Sequence, residues 1–373
     1  MILEEVALRS FRNLRDPRVE LSPRTTVLYG QNGQGKTNFL EACYLLCTLR
    51  PLRAQKLIEL VRLGAKEASF VNGRFALPGG HREVEVEISA QGRAARVDHK
   101  RIADPDELYG GLATVAFTPD DLAVVKEGPE GRRKLLDRAV QNRHPAHLAD
   151  AREYVKALRS RNQLLRQGAD EALLTSFDGP LARLGAKLRQ RREGLLRELL
   201  PHAERAFAEV ARGESPLRIE YLAAGRDSDD LADAGETLEG RLGAALLRRL
   251  PRDRERGYTS VGPHADDLGL WLGEKSARLY ASQGQARAVV LALKIGEIEN
   301  LRASQGRAPL LLLDDVSSEL DPQRSAFLMA YLSALEGQVV LTTTDPRLVA
   351  GGLKGDALFR SVSGGAIEPA KAP

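Results

Sequence analysis

Gly30-Gln31-Asn32-Gly33-Gln34-Gly35-Lys36-Thr37 has the residue types and spacing of a loop built to hold phosphate. Glycines let backbone N–H groups converge on phosphate oxygens, and a helix that follows aims its positive end at them. From a solvated loop Lys36 is expected to reach the β and γ phosphates, with the Thr37 hydroxyl taking one position on Mg²⁺. A second motif supplies what the loop lacks. Pro309–Leu313 is a continuous apolar run that ends in Asp314-Asp315. A carboxylate at the end of a buried strand is desolvated and needs a partner, for which Mg²⁺ is the natural candidate. Asp314 is therefore assigned to the metal, and Asp315 to orienting or deprotonating the attacking water. Together the two motifs imply binding and hydrolysis of Mg-ATP.

Three further groups carry weaker signals. Ser282-Gln283-Gly284-Gln285 opens a helical stretch predicted over 286–303, and small residues before a helix N-terminus form an anion site or a plain cap. ATP-binding-cassette (ABC) ATPases place their signature motif at this point, where it contacts the γ-phosphate held by another subunit. His264 with Asp266 and Asp267 reads either as metal ligands or as a structural hydrogen-bonding group. Cys43 and Cys47, one helical turn apart, are half a metal site or two buried thiols on a core-facing stripe.

The elements that position these groups follow from periodicity. Strands are predicted at Leu3–Ser10 and Thr25–Tyr29, the second running straight into the glycine loop. Val84, Val86 and Ile88 alternate with Glu83, Glu85 and Glu87, and a hairpin turn at Gln91-Gly92 leads to Ala95–Val97, so an antiparallel sheet is expected beside a parallel core. Gln338–Thr344 reads as another buried strand. From about Asp121 to Arg256 the chain is rich in Leu, Ala, Arg and Glu. Leu148, Val155 and Asn162, with Ala151, Leu158 and Leu165, form one heptad stripe, and Leu181, Leu184, Leu188 and Leu195 form another after Asp178-Gly179-Pro180. They predict a compact antiparallel helical hairpin, each arm about three heptads long. Leu217–Leu222 and Leu231–Leu250 are more variable, and Arg252–Arg256 reads as a charged linker. The expected organisation is 1–121 and 257–373 as one ATPase head, with 122–256 inserted as a helical lid or arm. Residues 367–373 are expected to fray.

A chain of 373 residues with 43% hydrophobic content is read as globular and of two domains. Its acidic start, the lack of an apolar run of about 20 residues and the lack of a disulfide framework predict a soluble, cytoplasmic protein without a membrane partner. The net charge is +4, with arginine in excess of lysine. This fits either a phosphate-backbone partner or charges spread over solvated helix faces.

Phe11-Arg12-Asn13-Leu14, the loop Gly30–Asn38, Thr118-Pro119-Asp120-Asp121-Leu122, Gly128–Asp137, Gly262–Leu268, Ser282–Gln285 and Leu313–Asp321 together resemble the RecF family of bacterial recombination mediators, relatives of the SMC chromosome ATPases. Ala265 departs from the pattern, where Arg is expected. The resemblance implies an α/β fold, an ABC-type P-loop head with a mixed sheet and an inserted helical lid, binding ATP and Mg²⁺. It implies an ATP-dependent homodimer with two nucleotides between the heads, and DNA as partner, in duplex form and at junctions with single strands. It further implies action with RecO and RecR proteins to load recombinase at gaps, close to the nucleoid, and weak DNA-stimulated hydrolysis. On the same ground Arg12 and Asn38 join Gly30–Thr37 as nucleotide contacts, and Ser282, Gly284 and Gln285 face the partner's nucleotide. Transporter ATPases carry a histidine where Thr342-Thr343-Thr344-Asp345 stands, so Thr343 is expected to sense the γ-phosphate weakly and hydrolysis to be slow. Arg132 and Arg133 are candidate DNA contacts. A transporter ATPase subunit and a chromosome-organising protein are the competing readings. The basic Leu-rich insert and the missing histidine speak against the first, and the short hairpin against the second.

Overall fold

The computed structural model describes residues 1–54, 56–102, 112–211, 213–225, 237–315, 320–353 and 357–372. The chain divides into two compact units. One comprises Met1–Leu122, Glu209–Ala211 and Gln283–Pro373, and the other Ala123–Ala208 and Arg212–Ser282.

In chain order the first unit opens with β1 (Ile2–Arg9), β2 (Arg18–Glu20), β3 (Thr25–Tyr29) and α1 (Lys36–Thr48). It continues with β4 (Ser69–Leu77), β5 (Gly80–Ser89), β6 (Gly92–Val97), β7 (Lys100–Arg101) and β8 (Thr114–Phe117). The second unit holds α2 (Ala123–Lys126), α3 (Pro129–Gln141), α4 (His147–Arg166), α5 (Glu171–Thr175), most of α6 (Asp178–Val210), β9 (Leu217–Leu222), α7 (Leu238–Arg256), β10 (Asp267–Leu272), β11 (Lys275–Ser276) and α8 (Ala277–Tyr280). The chain then returns to the first unit with α9 (Gln283–Gln305), β12 (Leu310–Leu313), α10 (Pro322–Ala334), β13 (Val339–Thr343), α11 (Arg347–Ala350), β14 (Leu358–Ser363) and β15 (Ala366–Ala370).

Two sheets clasp α1. The antiparallel sheet runs β2-β1-β4-β5-β6-β7; the mixed sheet runs β15-β14-β3-β13-β12-β8, parallel throughout except for β15. One core joins Leu3, Val71, Phe75 and Val86 of the first sheet to Phe39, Leu45 and Leu46 of α1 and Leu310, Leu312 and Val340 of the second. A helix covered on both sides must be apolar almost all round, as α1 is. Cys43 and Cys47 are part of that core, and burial pushes both thiols up, Cys47 to about 12. They are core residues and not metal ligands; among the described residues no cluster of His, Cys, Asp and Glu suits a metal. The β5–β6 turn is Ala90-Gln91, one residue earlier than expected, and Gly92 opens the strand. Residues 367–370 do not fray: Ala366–Ala370 pairs with β14 because Gly364-Gly365 makes a tight reversal.

In the second unit the expected helices form with different faces and lengths. Tyr154 and Arg161 complete the buried stripe of α4, whereas Val155 points outward. The helix α6 runs 33 residues, well beyond three heptads. Arg252–Arg256 is no linker but the end of α7, where Asp253 is wholly buried. β9 pairs with β10 over six positions, so this unit extends to Ser282 and the expected border at 256–257 falls inside it. Residues 231–236 lie outside the described residues.

The core of this unit is threaded by arginines. Arg161, fully buried, donates to Asp178 (2.9 Å), Asp253 (3.1 Å) and Thr259 (2.8 Å). Arg189 grips Asp266 through two N–H groups, at 2.8 and 2.7 Å, and Tyr221 donates to the same carboxylate at 2.6 Å. Arg132 does likewise with Asp267, and Arg133 donates to the Asp266 carbonyl. Arg132 is therefore a buried structural residue, which removes it from the DNA-contact candidates. His264 sits between Tyr154 (2.7 Å from Nδ1) and the Thr259 carbonyl (2.8 Å from Nε2), so His264, Asp266 and Asp267 each face a different partner and form no metal site. The Ala265 N–H closes a turn onto Gly262.

Arg192 holds Asp137 through two parallel bonds of 2.8 and 2.9 Å, and His147 lies 2.9 Å from the same carboxylate. Burial alone would raise the Asp137 pKa, but the bonds from His147 and Arg192 outweigh it and bring it down to about 2. A carboxyl whose folded pKa is depressed stabilises the fold above the ordinary carboxylate range and loses that contribution as pH falls through its folded value. Asp137→Asn is therefore expected to lower stability at neutral pH by roughly 2 kcal/mol. In urea unfolding the gap from wild type should narrow steadily between about pH 5 and about pH 3. A gap independent of pH would contradict the ion-pair account.

Candidate active site

Ligands of open α/β sheets gather where the parallel strands end. Here β3, β13 and β12 are neighbours, so their C-terminal ends present Gly30, Thr342-Thr343 and Asp314 side by side. A cavity of about 300 Å³ opens there, lined by Asn32, Gly33, Gly35, Lys36, Thr37, Asn38, Arg53, Pro119, Asp314 and Asp315.

The loop between β3 and α1 is shaped by what surrounds it. A Cβ on Gly30 would sit 2.2 Å from the Val362 carbonyl oxygen of β14, so no larger residue fits. Gly35 adopts φ 115° against Leu14 and Asn13, which favours glycine on both steric and conformational grounds. Lys36 starts α1 and is almost buried, contrary to the expectation of a solvated residue. Its ammonium donates to the carbonyls of Gly30 (2.6 Å) and Gln31 (3.0 Å). Desolvation lowers its pKa, opposed by the charges of Asp315 and Asp314.

Asp314 is the focus of the polar contacts. Its Oδ1 accepts from Thr37 Oγ1 at 2.8 Å and from Thr342 Oγ1 at 2.9 Å. Burial raises its pKa, partly offset by the two hydroxyls. Thr342 also receives the Asp315 N–H at 2.9 Å, holding Asp315 in a left-handed turn at φ 48°. A hydroxyl beside a desolvated carboxylate, opposite a buried ammonium, is a donor set of hard oxygens suited to Mg²⁺ and phosphate.

The family model for the RecF/RecN/SMC N terminal domain matches residues 2–362. The DNA replication and repair protein RecF of Anaeromyxobacter sp. (strain K) is 54% identical over 373 residues, covering 99% of both chains. That of Myxococcus xanthus (strain DK1622) is 52% identical over 371 residues, covering 98% of this chain and 97% of its own. The chain belongs to the RecF family. A solved structure of the recombination mediator protein RecF with ATP, in the RecFOR pathway, matches with a TM-score of 0.87 at 31% identity, over 99% of this chain and 98% of that one. An SMC head bound to part of ScpA shares the fold at a TM-score of 0.57 and 15% identity, over 99% of this chain and 97% of that one. The fold is thus an ABC-type ATPase head with mixed sheet and helical insert, as expected.

Within this RecF-family head, the cavity gathers Asn32, Gly33, Gly35, Lys36, Thr37, Asn38, Asp314 and Asp315 of the expected residues. Gly30 and Gln31 contribute carbonyls to Lys36, while Gln34 turns away and accepts from the Gly364 N–H at 2.6 Å. Arg12 does not line the cavity; its guanidinium donates twice to Glu41. Thr343 also points elsewhere, its hydroxyl bonding to the backbone of Asp345, because successive strand residues face opposite ways. Thr342 takes the place at the carboxylates. Gly284 and Gln285 lie outside the cavity lining, and Ser282 is exposed just before α9. A Cβ on Gly284 would approach Arg324 to 3.0 Å, a packing reason for glycine within its own chain. Residues 316–319 of the second motif lie outside the described residues.

Three contributors escaped sequence reasoning. Arg53 reaches the cavity, donating to Asp120 at 3.1 Å and lying 3.8 Å from Asp314 Oδ2. Glu41, 1% exposed, accepts the Arg53 and Ala54 N–H groups as well as Arg12, and so ties two loops to α1. Asn13 bonds the Gly33 carbonyl and Asn38. An acid in the middle of an apolar helix was the one available signal, since Glu41 interrupts the run Phe39-Leu40…Ala42.

Lys36→Ala should abolish ATP binding in a fluorescence titration without unfolding the chain, because the hydrogen bonds of Lys36 go to two loop carbonyls and not into the core. Unchanged affinity would remove Lys36 from the phosphate site.

Proposed function

We propose that this chain is an ATP-driven, DNA-binding protein of recombinational repair, working as a head-to-head dimer that ATP assembles and slow hydrolysis releases. Support comes from the Lys36–Thr37–Asp314 cavity, from relatives described as DNA replication and repair proteins, and from a relative's structure with ATP. The observation that carries the dimer is the lining of the cavity. Gly284 and Gln285 belong to the same unit as the cavity and are not part of its lining, which supports a second copy as the source of the signature contacts.

In this reading Thr37 and Asp314 would hold Mg²⁺, which would supply positive charge against the phosphates, and Lys36 would exchange its loop carbonyls for phosphate oxygens. Asp315 positions the attacking water. The protein binds duplex DNA and junctions with single strands, and acts with RecO and RecR proteins to load recombinase at gaps. A structural relative, the recombination mediator protein RecF of the RecFOR pathway, supports the last point. Its place of action is the cytoplasm, at the nucleoid.

Asp315→Asn should retain Mg-ATP binding, lose roughly 100-fold or more in hydrolysis, and elute from gel filtration with ATP as a persistent dimer. A variant that no longer binds Mg-ATP would transfer the metal role to Asp315.

A further inference from the structure

The outward face of α4 has a feature that folding does not require. Arg152, Lys156, Arg159, Gln163 and Arg166 are all exposed. At 3.6 residues per turn they fall within an arc of about 80°, spanning about 21 Å of helix at 1.5 Å per residue. Tyr154, Leu158, Arg161 and Leu165 occupy the opposite, buried face. The nearest acid on the helix, Glu153, points about 100° away from Arg152.

The charges on this stripe differ from the arginines of the same unit that are drawn into its interior. Arg132, Arg161, Arg189, Arg191 and Arg192 are each paired with an aspartate. None of Arg152, Lys156, Arg159 and Arg166 has an ion-pair partner among the described residues. Like charges at i,i+4 and i,i+3 repel, so Arg152–Lys156 and Lys156–Arg159 weaken the helix slightly. Four aligned, uncompensated cations on a straight rod lower stability and suit a linear polyanion.

We propose that this face of α4 is a contact surface for the phosphate backbone of duplex DNA. The inference rests on the DNA-binding reading above and adds where the duplex lies. Duplex fits better than single strand because the stripe offers no aromatic ring on which an unpaired base would stack; the helix's Tyr154 is buried on the other side. It also offers no pattern for reading bases, so binding here is indifferent to sequence.

The test compares the full-length protein with Lys156→Gln/Arg159→Gln, and with Lys100→Gln/Arg101→Gln, which removes the same charge from β7 in the other unit. Affinity for a short fluorescent duplex is followed by anisotropy with ATP between about 50 and about 200 mM salt. Each lost phosphate contact lowers the slope of log K against log salt by about 0.9. The α4 variant should therefore lose about 1.8 of the wild-type slope, with melting temperature and ATP binding unchanged, and the β7 variant should lose little. An unchanged slope in the α4 variant overturns the surface and leaves DNA binding standing. Equal losses in both variants overturn it too, since net charge alone then accounts for them, as it would for an acidic protein partner. A wild-type protein that does not bind duplex overturns both this surface and the reading it rests on.

Discussion

Two opposite charges kept out of water at the ends of three adjacent strands set the terms for the head. Lys36 and Asp314 are both nearly buried, and each needs polar partners where the sheet stops. The order β3-β13-β12 supplies them: carbonyls from the loop after β3, a hydroxyl from β13, and the carboxylate itself from β12. The two sheets must bury α1 to hold Lys36 and Thr37 at its start, which explains the helix's apolar surface. The β14–β15 hairpin closes the far side of the loop, with Gln34 receiving the N–H of Gly364 and its carbonyl receiving that of Gly365. Gln338 adds a further clamp, pairing its side-chain amide with the backbone of Leu3 across 335 positions of chain.

The second unit solves a different problem. Its helices are arginine-rich, and the structure sinks several of those arginines into the core against aspartates. Such buried pairs add little net stability compared with apolar packing, but breaking one leaves an uncompensated charge, so they favour a single arrangement. The basic composition therefore has two parts: buried guanidinium groups that define the core, and exposed ones such as those of α4.

The chemistry was legible wherever backbone geometry dictates residue type. A phosphate loop requires glycines at fixed intervals, and a buried strand ending in acids is conspicuous, so Gly30–Thr37 and Asp314-Asp315 stood out. Side-chain direction at the strand ends was not legible: choosing Thr342 over Thr343 depends on the pleat, which a run of three threonines hides. The surroundings of Arg12 and the reach of Arg53 into the cavity were not legible for a related reason. Their positions are set by Glu41, through bonds between segments distant in sequence. The same holds for Val155, since a heptad count cannot tell that Tyr154 and Arg161 carry the buried stripe. Charge read from composition said least, because it does not distinguish a buried arginine from an exposed one.

The central claim is that a second copy completes each nucleotide site. Lys36→Ala and Ser282→Arg should each be inactive alone, since every site of each homodimer carries one defect. Mixed in equal amounts, with random pairing and independent sites, half the dimers are mixed and each has one sound site of two, restoring about a quarter of wild-type turnover. No recovery at any ratio, with mixed dimers demonstrated by a tag on one variant, would contradict the composite site with independently acting halves.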